Sequence, residues 1–369
     1  MAELNISFYG SSLVSAYWNG AATYYRGIIR ALAARGHNVT FFEPDAWERQ
    51  KHRDIADPDW ARVVVYPNDE SSASKALEQG CDADVIVKAS GVGVFDSLLE
   101  AGVLEVGRPD ATVIFWDVDA PATLASMRDD PGDTLRPLIP RFDYVLTYGG
   151  GDPVIDAYKA IGARDCIPIY NALDPETHRP VAPDKRFEAD LSFMANRLPD
   201  REARVEQFFL DAAARLPERR FLLGGSGWGD KPMPGNVNYV GHVYTADHNA
   251  VNCSALAVLN VARDSMAAVG FSPATRVFEA AGAGACVITD AWEGVERFLE
   301  PGTEILVAKD GAEVAALVDG LTPERSRWIG VAARRRMLDA HTYAHRAAEV
   351  ESLLLSGSPA PNPTAKVLA

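Results

Sequence analysis

Short apolar runs alternate with longer stretches of helical periodicity along most of the chain. Runs rich in β-branched and aromatic residues predict strands in the first half at residues 4–9, 38–42, 63–66, 85–88, 112–116 and 144–147. Between the first two strands, residues 23–35 have helical spacing and end before Gly36. Strand, helix and strand in this order is typical of a parallel sheet with helices on both faces.

The same alternation restarts in the second half of the chain. We predict a helix at residues 201–215 and strands at residues 190–194, 221–223, 237–240, 255–260, 286–289 and 305–307. Between the two sets, residues 171–180 are polar, contain two prolines and have no period of their own, as expected of a linker. The pattern therefore predicts two doubly wound, Rossmann-like α/β domains.

The predicted boundaries are residues 1–172 for an N-terminal domain, 173–188 for the linker and 189–355 for a C-terminal domain. Residues 356–369 contain three prolines and no apolar pattern, so we expect a disordered tail. Open parallel sheets bind ligands at the carboxyl ends of their strands, beside helix N-termini. We therefore expect the two sheet edges to face a shared cleft, with the functional residues in loops that follow strands.

Length and composition agree with this organisation. The 369 residues are enough for two domains of ordinary size, and 47% hydrophobic with 24% charged residues is typical of a globular protein. Lys and Arg total 36 against 51 Asp and Glu, a formal charge of −15. This balance argues against a general nucleic-acid binder, which needs a cationic face, but it permits a local positive pocket for a small anion.

Neither a signal peptide nor a membrane span is predicted, because no apolar run approaches 18 residues. Four scattered cysteines form no CxxC pair, which favours reduced thiols over a disulfide framework or a zinc site: Cys81, Cys166, Cys253 and Cys286. His341 and His345 have the spacing of a helical metal pair, but we interpret them as surface residues. We expect a cytoplasmic protein without stable membrane insertion; no oligomeric state is predicted.

The segment that begins at Ser272 contains the most informative chemistry. Ser272 followed by Pro273 predicts a helix start, with a hydroxyl cap and a proline in the first turn. The N–H groups and partial positive charge of that start suit a phosphate. Glu279 lies on the same face as Thr275 and Arg276, about 10 Å along the axis from the cap, which is the reach from a diphosphate to a ribose diol. The alternative is a capped amphipathic helix with a solvated glutamate.

Residues 276–284, followed by the strand segment 287–290, resemble the nucleotide-binding segment of two-domain glycosyltransferases with the GT-B fold. The similarity is closest to the CgeB-type, spore maturation protein-like glycosyltransferases. Residues 171–180, 240–243 and 260–266 resemble the linker, the loop beside the base and a strand end at the donor site. The resemblance implies transfer of a sugar from a nucleotide-diphosphate sugar, such as a UDP-sugar, to a small-molecule, glycan or protein acceptor.

The resemblance also implies roles for individual residues. Arg197 and Arg201 follow the first strand of the second domain and would neutralise the donor diphosphate, with Arg263 as a third cation; the alternative is a solvated basic loop. Because arginines and helix termini neutralise the phosphates in this fold, no metal and no separate cofactor are expected. Glu279 would bind the ribose, and further donor contacts are assigned to Gly20, Gly225, His242 through its backbone, Ser272, Thr275 and Arg276.

Asp119 is the candidate catalytic base, with Asp117 as a second candidate, because both follow a predicted strand. A base is needed only if the reaction inverts the anomeric carbon, since retaining enzymes of this fold use the donor phosphate to take the proton. The alternative for either aspartate is a helix cap or a loop carboxylate bound to backbone.

One position departs from the family pattern. Many retaining members have a second glutamate eight residues before the ribose-binding one, and Phe271 occupies that position here. The paired-glutamate signature is therefore incomplete. We expect a retaining, metal-independent glycosyltransferase, with a sugar-nucleotide epimerase of the same fold or a non-catalytic nucleotide-sugar-binding protein as alternatives.

Overall fold

A computed structural model describes residues 3–17, 19–91 and 93–356. The chain divides into two compact units. The first contains the described residues up to Tyr170 together with the helical segment that begins at Tyr343, and the second is Asn171–Thr342.

The first unit is built on a parallel sheet. Its strands are β1 (Asn5–Tyr9), β2 (Asn38–Pro44), β3 (Arg62–Tyr66), β4 (Val85–Ala89), β5 (Thr112–Asp117), β6 (Tyr144–Thr147) and β7 (Cys166–Pro168). Over the described residues they are ordered β3-β2-β1-β4-β5-β6-β7. The helices between them are α1 (Ala22–Ala34), α2 (Glu70–Gln79), α3 (Asp96–Val106), α4 (Ala120–Asp129) and α5 (Gly151–Ala160).

The centre of this sheet is buried on both faces, as expected of a parallel sheet covered by helices. Every residue of β4 is buried. On one face, the ring of Phe8 stacks on Phe41 with centroids 5.3 Å apart and packs against Trp116 at 5.8 Å. This packing explains why β-branched and aromatic residues dominate the predicted strands.

The second unit repeats the architecture with β8 (Ala189–Met194), β9 (Phe221–Gly224), β10 (Val237–Gly241), β11 (Ala255–Asn260), β12 (Val287–Asp290) and β13 (Leu306–Ala308). The order in its parallel sheet is β10-β9-β8-β11-β12-β13. Its helices are α6 (Pro199–Val205), α7 (Asp211–Arg215), α8 (His248–Ser254), α9 (Asp264–Val269), α10 (Thr275–Gly282), α11 (Gly311–Gly320) and α12 (Pro323–Ala340).

The predicted fold class, two Rossmann-like α/β units, is confirmed. The predicted strands are present, with ends shifted by at most two residues, and β7 is an addition that was not predicted. The helix predicted at residues 201–215 is present as α6 and α7, joined by a π-helical turn. No helix among the described residues is both long and apolar enough to span a bilayer.

The last helix, α13 (Tyr343–Ser356), corrects the predicted C-terminal domain of residues 189–355, because it packs on α1 of the first unit. The Tyr343 ring lies where a Cβ on Gly27 would be, and Glu351 pairs with Arg35 and with His37 at 3.2 Å. The predicted linker is likewise part of the second unit, where the Leu173 N–H donates to the His341 carbonyl at 2.7 Å.

His341 is buried at the end of α12, so its prediction as a surface residue is wrong, and it lies on a different helix from His345. Of the predicted disordered tail, residues 357–369 lie outside the described part of the chain.

Candidate functional site

The helix start predicted at Ser272 is wrong. α10 begins at Thr275 with Ala274 in the cap position, and no side chain caps it. The chain turns sharply before the helix, because Phe271 has a positive φ of 47° and its N–H donates to the Glu293 carbonyl at 2.7 Å. A side chain in this left-handed conformation is uncommon and marks a locally constrained backbone. The turn carries Ser272 away from the cap position.

The later start shortens the distance to the predicted ribose-binding carboxylate. Glu279 lies five residues after the cap position Ala274, about 7.5 Å along the helix axis instead of about 10 Å. Ser272 is 6% exposed, and its hydroxyl oxygen has no hydrogen-bond partner within the described chain. The first turn of α10 therefore has its N–H groups one helical turn from the Glu279 carboxylate.

Arg276, in the first turn of α10, lies across the carboxyl ends of two strands. Its guanidinium donates to Oδ1 of Asn260, the last residue of β11, at 3.1 Å. It also donates to the carbonyl of Met194, the last residue of β8, and lies over the Phe193 ring with 5.1 Å to the centroid. The structure thus brings α10 to the sheet edge where parallel sheets bind ligands.

The charge of Arg276 is poorly compensated. Burial, with the neighbouring cation Arg201, lowers the pKa of its guanidinium to about 10, although the charges of Glu279 and Asp290 oppose the shift. The neighbouring Arg276 and Arg201 guanidinium groups contribute positive potential at this edge. An anion bound there would relieve their repulsion.

The Glu279 side chain is 17% exposed and lies beside two histidines. Its Oε1 is 3.8 Å from Nε2 of His178, and ligand atoms of Glu279, His178 and His248 all lie within 4.8 Å of one another. Burial lowers the pKa of His248, and the Glu279 charge partly offsets this. Glu279 is therefore partly buried and is not the solvated glutamate of the alternative interpretation.

Sequence reasoning missed both histidines. His178 lies in the predicted linker and His248 opens α8, so neither has a metal-binding spacing with the other or with Glu279. The available signal was positional, because His178 lies in the segment that resembles the linker and His248 follows the segment that resembles the loop beside the base. Among the residues that the structure describes, this cluster is the candidate for holding a metal ion.

Two of the predicted phosphate-binding arginines are held by carboxylates of α6. Arg197 donates to both oxygens of Glu202, at 2.7 and 2.8 Å, and to Asp230 at 2.9 Å. Arg263 donates to Asp200. These bonds raise the pKa of Arg197, and together with Lys231 they lower that of Glu202 to about 2. Binding of a diphosphate by these arginines stays a prediction. It requires that phosphate oxygens replace the carboxylates as hydrogen-bond acceptors.

Gly225 and His242 lie in the loops after β9 and β10. Gly225 has a φ of 123°, and a Cβ there would come within 2.0 Å of the Ala195 carbonyl oxygen. Its N–H donates to Gly241 at 2.7 Å, so the glycine is required for this close approach of loops. His242 is exposed, with its ring edge-on to Tyr244. Nucleotide contacts by either residue stay predictions.

In the first unit, Asp117 has the structural role that the alternative interpretation described. It is completely buried and accepts hydrogen bonds from Ser90 Oγ at 2.7 Å and Tyr158 Oη at 2.5 Å. Burial raises its pKa. Asp119 is half-buried at the start of α4, and its N–H donates to Asp117 at 3.0 Å. Asp119 remains the candidate base, whereas the carboxylate of Asp117 is fully engaged.

The loop that contains Gly20 is held by hydrogen bonds. The buried Glu43 carboxylate accepts from the Leu13 N–H at 2.6 Å and from Ser12 Oγ at 3.0 Å. The amide of Asn19 donates to the Ser12 carbonyl at 2.8 Å. Gly20 itself is exposed two residues before α1, and its backbone contact with a donor or acceptor stays a prediction.

Comparisons with known proteins agree with this architecture. A family model described as glycosyl transferase-like matches residues 201–352, most of the second unit and part of α13. A sequence search against curated proteins found no match.

Solved structures match over nearly the whole chain at low identity. Anabaena HepE in complex with UDP and glucose is 13% identical, with a TM-score of 0.70 over 95% of this chain and 99% of its own. Sucrose-phosphate synthase from Thermosynechococcus elongatus is 15% identical, with a TM-score of 0.66 over 95% and 98%. An α-glucosyltransferase in complex with UDP and DNA is 10% identical, with a TM-score of 0.68 over 96% and 100%. The chain therefore has the GT-B fold that these glycosyltransferases share.

Proposed function

We propose that the protein is a glycosyltransferase that takes a sugar from a nucleoside diphosphate sugar bound to its second unit. The observation that carries the proposal is the arrangement on α10. The partly buried Glu279 carboxylate lies one turn from the helix start, and Arg276 crosses the sheet edge beside it. A carboxylate can accept both hydroxyls of a ribose, while the helix start and the arginine bind the phosphates. The family model match over the same unit supports this function.

Departure of the nucleoside diphosphate is the step that these residues would assist. As the bond to the sugar breaks, negative charge grows on the phosphate, and positive groups already in place stabilise it. Arg276 is such a group, and the neighbouring Arg201 is a second cation beside it. The N–H groups at the start of α10 add a second source of positive potential. These groups supply the neutralisation that a metal provides in other transferases, so we propose metal-independent transfer.

We further propose retention at the anomeric carbon, with the donor phosphate accepting the proton of the acceptor hydroxyl. The hydrogen bonds that fully engage Asp117 favour this route over base catalysis by that residue. UDP-glucose is the first donor to test, because Anabaena HepE was crystallised with UDP and glucose. The acceptor is proposed only as a hydroxyl-bearing small molecule, glycan or protein, and the CgeB-type resemblance stays a prediction.

Calorimetric titration of the metal-free protein with UDP and UDP-sugars tests donor binding. Glu279→Gln keeps the shape of the side chain and removes its charge, so we expect roughly 10- to 100-fold weaker binding from the loss of charge-assisted hydrogen bonds. Glu218→Gln, at an exposed position of the same unit, is the matched control and should bind normally. Absence of UDP binding by the wild-type protein, or equal binding by Glu279→Gln, would refute the proposed donor site.

Incubation of a bound nucleotide sugar without acceptor distinguishes the reaction types. Slow release of UDP and free sugar is expected of a transferase that uses water as a poor acceptor. An epimeric nucleotide sugar would identify an epimerase, and an unchanged nucleotide sugar would favour a binding protein. The anomeric configuration of the released sugar, followed by NMR, tests retention.

A further inference from the structure

The group formed by His178, His248 and Glu279 has a geometry that ribose binding does not explain. Their ligand atoms lie within 4.8 Å of one another, and Nε2 of His178 is 3.8 Å from Oε1 of Glu279. Zinc ligands lie about 2 Å from the metal, which sets tetrahedral ligand atoms about 3.3 Å apart. The cluster therefore needs only a small closure to surround one ion.

The hydrogen bonds of His178 leave a lone pair facing the carboxylate. Its Nδ1 is 3.0 Å from the Thr177 hydroxyl, and that hydroxyl donates to the Asp174 carbonyl at 3.2 Å. Because a hydroxyl has a single proton, Nδ1–H must donate to Thr177 Oγ1, and in the neutral ring Nε2 is unprotonated. A nitrogen lone pair that faces a carboxylate oxygen repels it unless a proton or a metal cation lies between them, and either one can occupy this position.

His248 has a corresponding partner on its other side. Its ring forms a hydrogen bond with the backbone of Val243. This bond acts to raise the pKa of His248, which is the effect expected when a ring N–H donates to a carbonyl oxygen. Metal-binding histidines typically donate their second ring N–H to a carbonyl, a carboxylate or a water, which orients the ring. Both histidines of the cluster thus have an outer partner that directs a nitrogen inward.

The two histidines are also held at a fixed separation. Asn249, next to His248, donates from Nδ2 to the Thr177 carbonyl at 2.8 Å and accepts the Arg179 N–H at Oδ1 at 3.3 Å. Thr177 and Arg179 are the residues directly before and after His178 in the chain. A single amide therefore ties the start of α8 to both sides of the His178 backbone, and such preorganisation favours metal binding.

We propose that His178, His248 and Glu279 form a binding site for a divalent transition metal ion of the zinc type, with water as the remaining ligand. Two imidazoles and one carboxylate are a ligand set that zinc uses in proteins. Glu279 cannot serve the metal and a ribose diol at once. The metal and the donor nucleotide therefore exclude each other, and the metal inhibits sugar transfer. This second part of the inference rests on the function proposed above.

Titration of the full chain with Co²⁺, followed by visible absorption, and with Zn²⁺ against a chromophoric chelator tests the site directly. We expect one equivalent bound, without thiolate charge-transfer bands. His178→Gln, His248→Gln and Glu279→Gln should each weaken binding at least 10-fold, and Asn249→Ala, which removes only the backbone tie, should weaken it less. His52→Gln, at an exposed histidine of the first unit, is the control and should bind normally.

Thermal unfolding of each variant without metal establishes that it is folded. If a glutamine variant does not fold, Asn249→Ala and the 1:1 spectrum of the wild type still decide the question. Wild-type protein that binds no metal, binds it through thiolates, or binds it equally well in the folded His178→Gln variant would overturn the metal site.

Competition is tested separately by repeating the Zn²⁺ titration with increasing UDP. We expect the apparent zinc affinity to fall in proportion to UDP saturation. Zinc binding that is unaffected by saturating UDP would overturn mutual exclusion. If metal-free protein binds no UDP, the proposed donor site fails instead, while the metal site is judged by its own variants.

Discussion

Replacement of Arg276 by methionine removes a partly buried cation while keeping most of the side chain's length and its contact with the Phe193 ring. In the folded protein, burial and the neighbouring Arg201 lower the pKa of Arg276 to about 10. That fall corresponds to roughly 3 kcal/mol by which the charged form destabilises the folded state. Methionine removes this penalty.

The same replacement loses two hydrogen bonds, to Asn260 and to the Met194 carbonyl. Hydrogen bonds that involve a charged group contribute about 1.5–3 kcal/mol each. Loss and gain therefore nearly cancel, and we expect the free energy of unfolding of Arg276→Met to stay within about 3 kcal/mol of the wild type. Urea denaturation measures this difference.

Nucleotide binding should respond differently from stability. Without the cation, the bound diphosphate loses at least one charge-assisted contact, and we expect UDP affinity to fall roughly 10- to 100-fold. Arg220→Met, which removes an exposed arginine of the same unit, should leave UDP affinity unchanged. Wild-type affinity in Arg276→Met, or a loss of stability above about 5 kcal/mol, would show that the arginine serves the fold and not the anion.

Two further substitutions test how each unit is held together. Gly225→Ala should destabilise the second unit by about 3 kcal/mol or more in urea denaturation, because the new Cβ would lie 2.0 Å from the Ala195 carbonyl oxygen at a positive φ. Glu351→Gln should cost about 1–3 kcal/mol and increase hydrogen exchange in α13, because it weakens the pairs with Arg35 and His37. Those pairs lower the pKa of Glu351, so their contribution is present above the unfolded pKa near 4 and is lost as pH falls through the folded value.

Matched substitutions provide the controls. Gly235→Ala meets no atom within 4 Å and should change stability little. Glu218→Gln, at an exposed position, should not alter exchange in α13. Equal stability of Gly225→Ala and Gly235→Ala, or unchanged exchange in Glu351→Gln, would contradict the packing described above.

Much of the fold could be predicted because the information is local. Alternation of apolar runs and helical stretches is repeated within windows of about ten residues, and residues 144–147 and 255–260 were predicted with the observed ends. Local capping signals were less reliable. Ser272 and Pro273 have the pattern of a helix start, yet the turn at Phe271 overrides it, since a tertiary hydrogen bond to Glu293 determines the backbone there.

The sequence by itself determined two α/β units and the strands that build them, and it predicted a donor site in the segment around Glu279. Only the tertiary structure decided that α13 returns to the first unit, that Asp117 is a buried hydrogen-bond acceptor, and that His178 and His248 lie beside Glu279. The physical reason is the range of the interactions. Periodicity and propensity act between neighbours in the chain, whereas ion pairs, burial and ligand clusters join residues that only the folded chain brings together.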